Sequence, residues 1–474
     1  MTAVEEARRI FEVQRAYRWG AARSTAADRS AKLRRLRHAI VAHREQIYDA
    51  MWADFRKRRE EVEITEIAPT LIDLDHARAR IAEWMQPRRS PAHWLLAGTR
   101  SEVHYAPRGV VLIMAPWNYP FALILMPLVA AVSAGNCAVI RPSEKTPRTA
   151  DVIARIVRQA FEEREVACVT ESGVELAQAL VTFPFDHVFF TGSTRVGRQV
   201  MTAAAANLAS VTLELGGKSP LIVDATADAR AAGARAAWGK FVNAGQTCIA
   251  PDFALVEDTV APAFVDGACR AIERFYGASE EARQASPDFA RLIDDAAFRR
   301  VSALLEAAVD AGARVEIGGR VNASDRYIAP TILGNVTWDS PVMREEIFGP
   351  VLPVVTFASA NEAIERINAG PTPLALYVFS GRRENIEDIV RRTASGGVAI
   401  NDVLIHFGNP NLPFGGLRES GQGTYHGFYG FREFSHERAV IRQSPLGLSR
   451  LLQPPYGKRV RMLLRLIGAL SSHR

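Results

Sequence analysis

Gly109-Val110-Val111-Leu112-Ile113-Met114, continued through Ala115-Pro116-Trp117-Asn118-Tyr119-Pro120-Phe121 into an uncharged run that ends at Ile140, is the stretch on which the fold turns. A continuous apolar segment bounded by Gly109 and Pro116 reads as a buried parallel strand, because a strand covered on both faces has no polar face to alternate with. Residues Phe121 to Ile140 are by count long enough to cross a bilayer. Pro127, Ser133, Gly135 and Asn136 interrupt them, however, and turn-rich motifs bracket them. A buried helix, a turn at Ala134-Gly135-Asn136 and a second strand, Cys137-Ala138-Val139-Ile140, explain the run better. The unit is βαβ.

The alternation continues with a helix over Asp151 to Phe161, a short strand near Val166 to Thr170, a helix around Glu175 to Leu180 and the strand Asp186-His187-Val188-Phe189-Phe190. This is the doubly wound, nucleotide-binding pattern. No G-x-G-x-x-G follows the first strand, which on composition alone argues for an α/β domain without a nucleotide. After Ser219 a second α/β region is expected. Its elements are Leu221-Ile222-Val223, a helix from Ala229 to Val242, Ala254-Leu255-Val256, a helix through Phe298 to Ala311, and strands around Val351 to Phe357 and Tyr377 to Phe379.

Composition bounds the function. A chain of 474 residues splits into two or three domains with substantial cores, and a mean hydropathy of −0.03 suits a soluble protein. The net charge of +6 and pI near 9.2 come from charges that alternate in sign, so no nucleic-acid partner is expected. Four cysteines without CxxC or His-rich spacing give neither a disulfide framework nor a zinc site, and no metal is expected. The N-terminal segment Met1-Thr2-Ala3-Val4-Glu5-Glu6-Ala7-Arg8-Arg9 has no apolar core of a secretory signal and reads as a surface helix, in a reducing, cytoplasmic setting. The densest charge run, Arg56 to Glu61, reads as a solvated helix face.

Two stretches carry chemistry: Asn243-Ala244-Gly245-Gln246-Thr247-Cys248-Ile249-Ala250-Pro251-Asp252, and upstream Leu213-Glu214-Leu215-Gly216-Gly217-Lys218-Ser219-Pro220. A thiolate is a good nucleophile toward carbonyl carbon, and a nearby glutamate can activate the water that releases an acyl-enzyme. A lone cysteine is also a small buried hydrophobe, but the polar, small neighbours of Cys248 make a poor core and Gly245 permits a tight turn beside it. Taken singly, Asn118 reads equally as a turn asparagine and Glu214 as a strand-end carboxylate paired to Lys218 or solvent.

With Ala115-Pro116-Trp117-Asn118-Tyr119-Pro120-Phe121, Arg141-Pro142-Ser143-Glu144, Phe190-Thr191-Gly192-Ser193-Thr194-Arg195-Val196-Gly197 and Glu345-Glu346-Ile347-Phe348-Gly349-Pro350, these stretches follow one another in an order that resembles the aldehyde dehydrogenase superfamily over nearly the whole chain. Cys248 to Asp252 and Ser420-Gly421-Gln422-Gly423-Thr424-Tyr425-His426-Gly427 resemble its class 3, fatty or aromatic aldehyde branch. The resemblance implies an α/β, aldehyde dehydrogenase-like fold: a discontinuous Rossmann-type NAD-binding domain (1–90 and 106–215), an α/β catalytic domain (216–397), and a bridging and oligomerisation element (91–105 and 398–434). It implies Cys248 as nucleophile, Asn118 and the Cys248 backbone N–H as holders of the oxyanion, and Glu214 as base toward water.

For the cofactor the resemblance implies Arg141, Ser143 and Glu144 near the adenosine ribose, and a phosphate turn at Gly192, Ser193, Thr194 and Gly197 where free amides open a helix. It also implies Glu346 and Phe348 at the nicotinamide ribose and ring, with Trp117 and Val196 as apolar contacts; helix-start capping and packing are the bland alternative for all of these. NAD is the expected cofactor, and arginine at 141 in place of lysine, offering a planar fork to a phosphate, suggests NADP beside it.

The implied reaction is NAD(P)-dependent oxidation of a medium- or long-chain aliphatic or aromatic aldehyde to the acid, through a cysteine thiohemiacetal and a thioester. CoA-acylating oxidation and a non-catalytic binding protein on the same fold are the alternatives; Glu214 speaks against the first and joint retention of Cys248, Glu214, Asn118 and Glu346 against the second. Tyr119, Phe407, Leu412 and Phe414 are the expected pocket walls, and a homodimer is the expected assembly. Finally, in the tail 447–474, Val460, Leu463, Leu464, Ile467 and Leu470 recur at helical spacing among Lys458, Arg459, Arg461 and Arg465. That basic amphipathic helix is expected to lie on a membrane surface, to cover the substrate entrance, or to pack on the protein.

Overall fold

A computed structural model describes residues 2–92, 96, 98–171, 173–444, 453–458, 460–462, 464 and 465. The βαβ unit stands as read. Val110–Met114 is buried throughout and pairs in parallel with Cys137–Arg141, Val110 opposite Cys137. Every residue of the intervening helix Ala122–Ala134 is buried, which accounts for its uncharged run without a bilayer. Gly135 ends the helix at φ +90, and Arg29 Nη1 donates to the buried Ser133 carbonyl at 2.9 Å, a cation at the negative end of the helix. No helix among the described residues is long and apolar enough to cross a membrane.

The first sheet has six strands in the order Gly421–Gln422, Ser210–Glu214, His187–Thr191, Val110–Met114, Cys137–Arg141 and Val166–Cys168, parallel apart from the short first one. The second has seven: Arg314–Ile317, Thr331–Gly334, Val351–Phe357, Phe253–Glu257, Pro220–Val223, Ala375–Phe379 and Gly397–Ile400. All its neighbours but the first pair are parallel, and helices such as Ala229–Phe241 and Asp295–Asp310 cover it. The N-terminal helix Ala3–Ala22, started by a Thr2–Glu5 capping box, is half a surface helix: Ile10 and Phe11 are buried, with Phe11 against Phe183 and Phe185.

The central strand of a third sheet begins in the first expected bridging segment, and the sheet runs past the second. Thr99–Pro107 pairs antiparallel with Arg88–Ser90 on one side and with Ser435–Gln443 on the other, Ser435 opposite Pro107 and Gln443 opposite Thr99. The returning strand therefore lies beyond 398–434, while Gly397–Ile400 closes the edge of the seven-stranded sheet. Of the tail, residues 447–452, 459, 463 and 466–474 lie outside the described residues, so Arg459, Leu463, Ile467 and Leu470 are among those not described. The described positions between 458 and 465 are helical, with Val460 buried and Met462 and Leu464 exposed.

Candidate active site

The carboxyl ends of four parallel strands, at Met114, Arg141, Thr191 and Glu214, share one edge of the six-stranded sheet, with Met114 paired to Arg141 and Phe190, and Thr191 to Glu214. Strand order reverses between Val110–Met114 and His187–Thr191, and in open α/β sheets the crevice outside such a reversal is where ligands sit. The Trp117-Asn118 loop leaves one of these strands and Gly192-Ser193 the other.

Cys248 arrives from the second sheet's side on a contorted turn. Helix Ala229–Phe241 stops, and Asn243, Ala244 and Gly245 take φ values of 52, 50 and 75. A Cβ on Gly245 would run into the Gly349 carbonyl, so only glycine fits there. For Asn243 and Ala244 the left-handed geometry costs about 1–2 kcal/mol each, and buried amides hold it. Gln246 Nε2 donates to Asn243 O (2.9 Å) and Arg291 O (3.1 Å), while Gln246 Oε1 accepts from Ile293 N (3.0 Å). Asn243 Nδ2 donates to Asn118 O at 2.8 Å and Asn118 Nδ2 to Gln246 O at 3.0 Å. These reciprocal bonds, with Tyr119 Oη and Thr247 Oγ1 2.6 Å apart, lock the asparagine loop to the thiol loop.

The charge run from Arg56 to Glu61 proves to be part of that support. Lys57 has no exposed side-chain surface; it pairs with equally buried Glu66 at 3.1 Å and lies over the Tyr119 ring at 3.9 Å. Glu66 also accepts from the N–H groups of Phe121 (3.2 Å) and Ala122 (2.9 Å), capping the long buried helix, and Glu61 accepts from Asn243 N at 2.9 Å. The outward charges read as a solvated face, but the inward ones are consumed by the asparagine loop and the thiol loop.

Electrostatically the site is a low-dielectric pocket for acids. Burial, with Glu346 and Glu214 adding, pushes the Cys248 thiol up to about 12, partly opposed by N–H groups of Cys248 and Ile249 directed at the sulfur. Burial, then Glu433, holds Glu214 well above the usual carboxylate range, and neither of its oxygens has a hydrogen-bond partner among the described residues. Burial and Asp252 raise Glu346 to about 8. Such perturbed groups converging on a cleft make it the candidate site of reaction.

Cys248 is part of the wall of two cavities. One, of about 190 Å³, is apolar and bounded by Tyr119, Leu123, Trp238, Val242, Phe407 and Phe414. The other, of about 660 Å³, is polar and brings together Trp117, Asn118, Glu214, Glu346 and Phe348 with the start of helix Thr194–Ala205 at Gly192, Ser193 and Thr194. Arg141, Ser143, Glu144, Val196 and Gly197 are not in its wall. Gly197 packs the helix on Leu215, where a Cβ would come within 2.6 Å, and the Val196 N–H is taken by the Ser193 N-cap. Ser143 Oγ accepts from Lys145 N in the turn before Pro147–Ala160. Arg141, buried, spends its fork on Glu144 (3.2 Å) and the Gly173 carbonyl (3.1 Å). Leu412, an expected pocket wall, is exposed instead and belongs to neither cavity.

Sequence reasoning missed several residues. Arg300, from helix Asp295–Asp310, donates to Glu346 O (3.2 Å) and Ile347 O (2.6 Å), and nothing in its local pattern marks it. Thr191 Oγ1 is buried at the cleft without a partner among the described residues, as is Tyr425 Oη, whose neighbours include Glu214 and Cys248. Gly216 could have been found: a second glycine in Gly216-Gly217 is the signal of a close approach, and a Cβ there would collide with the Glu346 carboxylate.

A dinucleotide fits this cleft. A helix start with free amides, unpartnered Thr191 Oγ1 and a glycine that admits Glu346 to the cavity form a cradle for phosphate and ribose. Comparison with known proteins agrees. The sequence pattern of the aldehyde dehydrogenase family matches residues 1–440. The chain is 42% identical to 4,4′-diaponeurosporen-aldehyde dehydrogenase of Staphylococcus aureus, over 90% of this chain and 92% of the relative. It is 42% identical to human aldehyde dehydrogenase family 3 member B1, over 92% of each. A substrate-bound Staphylococcus aureus AldH superposes with a TM-score of 0.93 at 39% identity, covering 98% of this chain and all of that one. An indole-3-acetaldehyde dehydrogenase in complex with NAD+ superposes with a TM-score of 0.85 at 28% identity, covering 93% and 89%.

Proposed function

The chain belongs to the aldehyde dehydrogenase family, and from that premise we propose that it oxidises apolar aldehydes to carboxylic acids with Cys248 as nucleophile and Glu214 as base. The observation that carries this reading is the position of one thiol in the wall of both an apolar and a polar cavity. Such a thiol can meet an aldehyde from one side and a cofactor from the other.

The apolar cavity orients the aldehyde with its carbonyl toward Cys248. The Cys248 thiol, which burial keeps protonated at rest, loses its proton to solvent as its sulfur bonds to the carbonyl carbon, and the C=O π pair moves onto oxygen, where the second N–H of Asn118 Nδ2 and the Cys248 backbone N–H stabilise it. The polar cleft would hold NAD(P)+, whose chemistry would supply the acceptor for the hydride of the carbinol carbon. Trp117, Gly192, Ser193, Thr194, Glu346 and Phe348 would hold it directly, Arg141, Ser143 and Glu144 from the next strand end, and Val196 and Gly197 by shaping the helix start. The Cys248 adduct is then a thioester. Glu214 takes a proton from water, the hydroxide oxygen bonds to the acyl carbon, the C–S bond breaks and the thiolate is restored. A carboxylate held above its usual range is well matched to that proton transfer near neutral pH.

NAD is read as the first cofactor, since the Arg141 fork is already committed and Glu144 beside it would repel a ribose phosphate. The apolar wall supports medium- or long-chain aliphatic or aromatic substrates. The domain division at 1–90 with 106–215 and 216–397 follows the two large sheets, with the bridging element extended to Gln443. Ser435–Gln443 is an edge strand with Ile441 exposed, which supports a homodimer formed there; sedimentation of the full chain tests it. Exposed Tyr456, Met462 and Leu464 support peripheral membrane contact by the tail, tested by liposome flotation with and without residues 456–474.

The deciding experiment follows NADH formation with aliphatic aldehydes of roughly two to fourteen carbons and benzaldehyde, without CoA, for the wild type and Cys248→Ala. Turnover lost in the variant supports the reading. Turnover that needs CoA, or none at all, overturns it.

A further inference from the structure

Between the Cys248 turn and the 345–348 segment lies a buried set of charges that the reaction above does not use. Asp252, almost wholly buried, accepts from Lys218 Nζ at 2.5 Å through Oδ2 and from the Ile347 backbone N–H at 3.0 Å through Oδ1. Lys218 donates its other protons to the carbonyls of Val342 (2.9 Å) and Glu345 (3.0 Å). One ammonium thus ties the turn after Glu214 to the segment after Cys248 and to the loop that carries Glu346. Lys240, in the last turn of Ala229–Phe241, has no exposed side-chain surface; its Nζ lies 3.7 Å from Asp252 Oδ1 and makes no hydrogen bond among the described residues.

The loop these groups hold has little structure of its own. After the turn Pro341–Met343 it is irregular, and Phe348 sits at φ 46. Irregular backbone keeps its place through side chains, and Arg300, which grips the outer side, is partly exposed. The inner side depends on Asp252 and Lys218. A fully buried cation without hydrogen bonds persists only beside an anion. For Lys240 that anion is Asp252, whose Oδ1, 3.7 Å from Nζ, is the oxygen that accepts from the Ile347 N–H.

We propose that Asp252, Lys218 and Lys240 are positioning residues for the dinucleotide: they fix the 345–348 backbone, and so set cofactor affinity without touching cofactor or aldehyde. The inference rests on the reading of Glu346 as a dinucleotide contact.

The test measures the Kd for NADH by its fluorescence on binding to full-length Lys240→Met and Asp252→Asn proteins. Hydrolysis of p-nitrophenyl acetate without dinucleotide, which draws on Cys248 and Glu214 alone, is measured beside it. Each variant is expected to raise Kd about tenfold, equivalent to about 1.4 kcal/mol. Lys240→Met should keep ester hydrolysis within about threefold and add less than about twofold in an Asp252→Asn background, where the ammonium has already lost its anion. An unchanged Kd for Lys240→Met, a parallel loss of ester hydrolysis and NADH binding, or a full additive effect on Asp252→Asn overturns the proposal. Should Asp252→Asn fail to fold, the Kd and ester hydrolysis of Lys240→Met decide. A wild type that cleaves the ester yet binds no NADH removes the cleft's reading as a dinucleotide site and this proposal with it.

Discussion

Replacing Glu214 by glutamine removes one proton acceptor and almost no volume. The structure says which step should suffer. Both carboxylate oxygens are buried and without partners among the described residues, so no hydrogen-bond network collapses with the charge. The neighbouring acid Glu433 is already engaged by Thr212 Oγ1 at 2.6 Å and cannot substitute. A positioned base contributes about 10²–10⁴ in rate, or about 2.7–5.5 kcal/mol; with no second base at hand, the upper part of that range applies to thioester hydrolysis. Thiol attack and oxidation do not use Glu214. Stopped-flow mixing of Glu214→Gln with aldehyde and NAD should therefore show a burst of about one NADH per active site followed by turnover slowed at least about 10³-fold. Mass spectrometry of the quenched protein should find an acyl group on Cys248. Because Glu214 ionises well above the usual carboxylate range, wild-type deacylation should climb with pH until it is deprotonated, and the variant should lose that limb. Slow turnover with neither burst nor adduct would refute the assignment, since the damage would then precede the thioester.

Three further outcomes are expected. Glu66→Leu strands the fully buried Lys57 and removes the cap on Phe121 and Ala122, so urea unfolding should show a loss of about 3–5 kcal/mol; a loss below about 1 would mean that water reaches the ammonium. Glu346 ionises near 8 folded against an ordinary value near 4.5. The unfolded chain thus releases its proton first, and stability falls as pH rises between those values, by up to about 4–5 kcal/mol at about 1.4 per pH unit. Glu346→Gln should flatten that decline in cofactor-free protein, and equal slopes would count against a buried, neutral carboxyl. With the Cys248 thiol near 12, iodoacetamide labelling of cofactor-free enzyme, corrected with Cys248→Ala, should rise about tenfold per pH unit without a plateau below about pH 10; a plateau near 8 would contradict it.

What could be read from the sequence was whatever chemistry or backbone geometry restricts to one residue type at one spacing. The 109–140 unit was legible because a strand buried on both faces and a helix buried all round leave no room for charge. Gly245 was legible because a tight turn beside a thiol needs glycine, and the structure adds the Gly349 carbonyl that makes it obligatory. The strand Ser435–Gln443 was not, since His-Glu-Arg-Ala-Val-Ile-Arg-Gln has no apolar face; its partner, more than three hundred residues earlier, supplies a main-chain ladder that any side chains tolerate.

The same distinction separates the site from its supports. In the proposed reaction Cys248, Glu214 and Asn118 have to be those residue types, whereas Lys57, Lys240 and Arg300 are ordinary surface types whose meaning comes only from what the fold lays against them. A window containing Arg56 to Glu61 has the composition of a solvated face, and turning one lysine inward changes nothing in that composition while it turns a surface charge into the brace of two loops. Buried lysines in an α/β enzyme are therefore best sought by asking which irregular, strained segments lack backbone partners of their own. Here the turn at 243–245 and the segment ending at Phe348 are each held by a buried or half-buried carboxylate, Glu61 on the Asn243 N–H and Asp252 on the Ile347 N–H, with a buried lysine, Lys57 or Lys240, beside it.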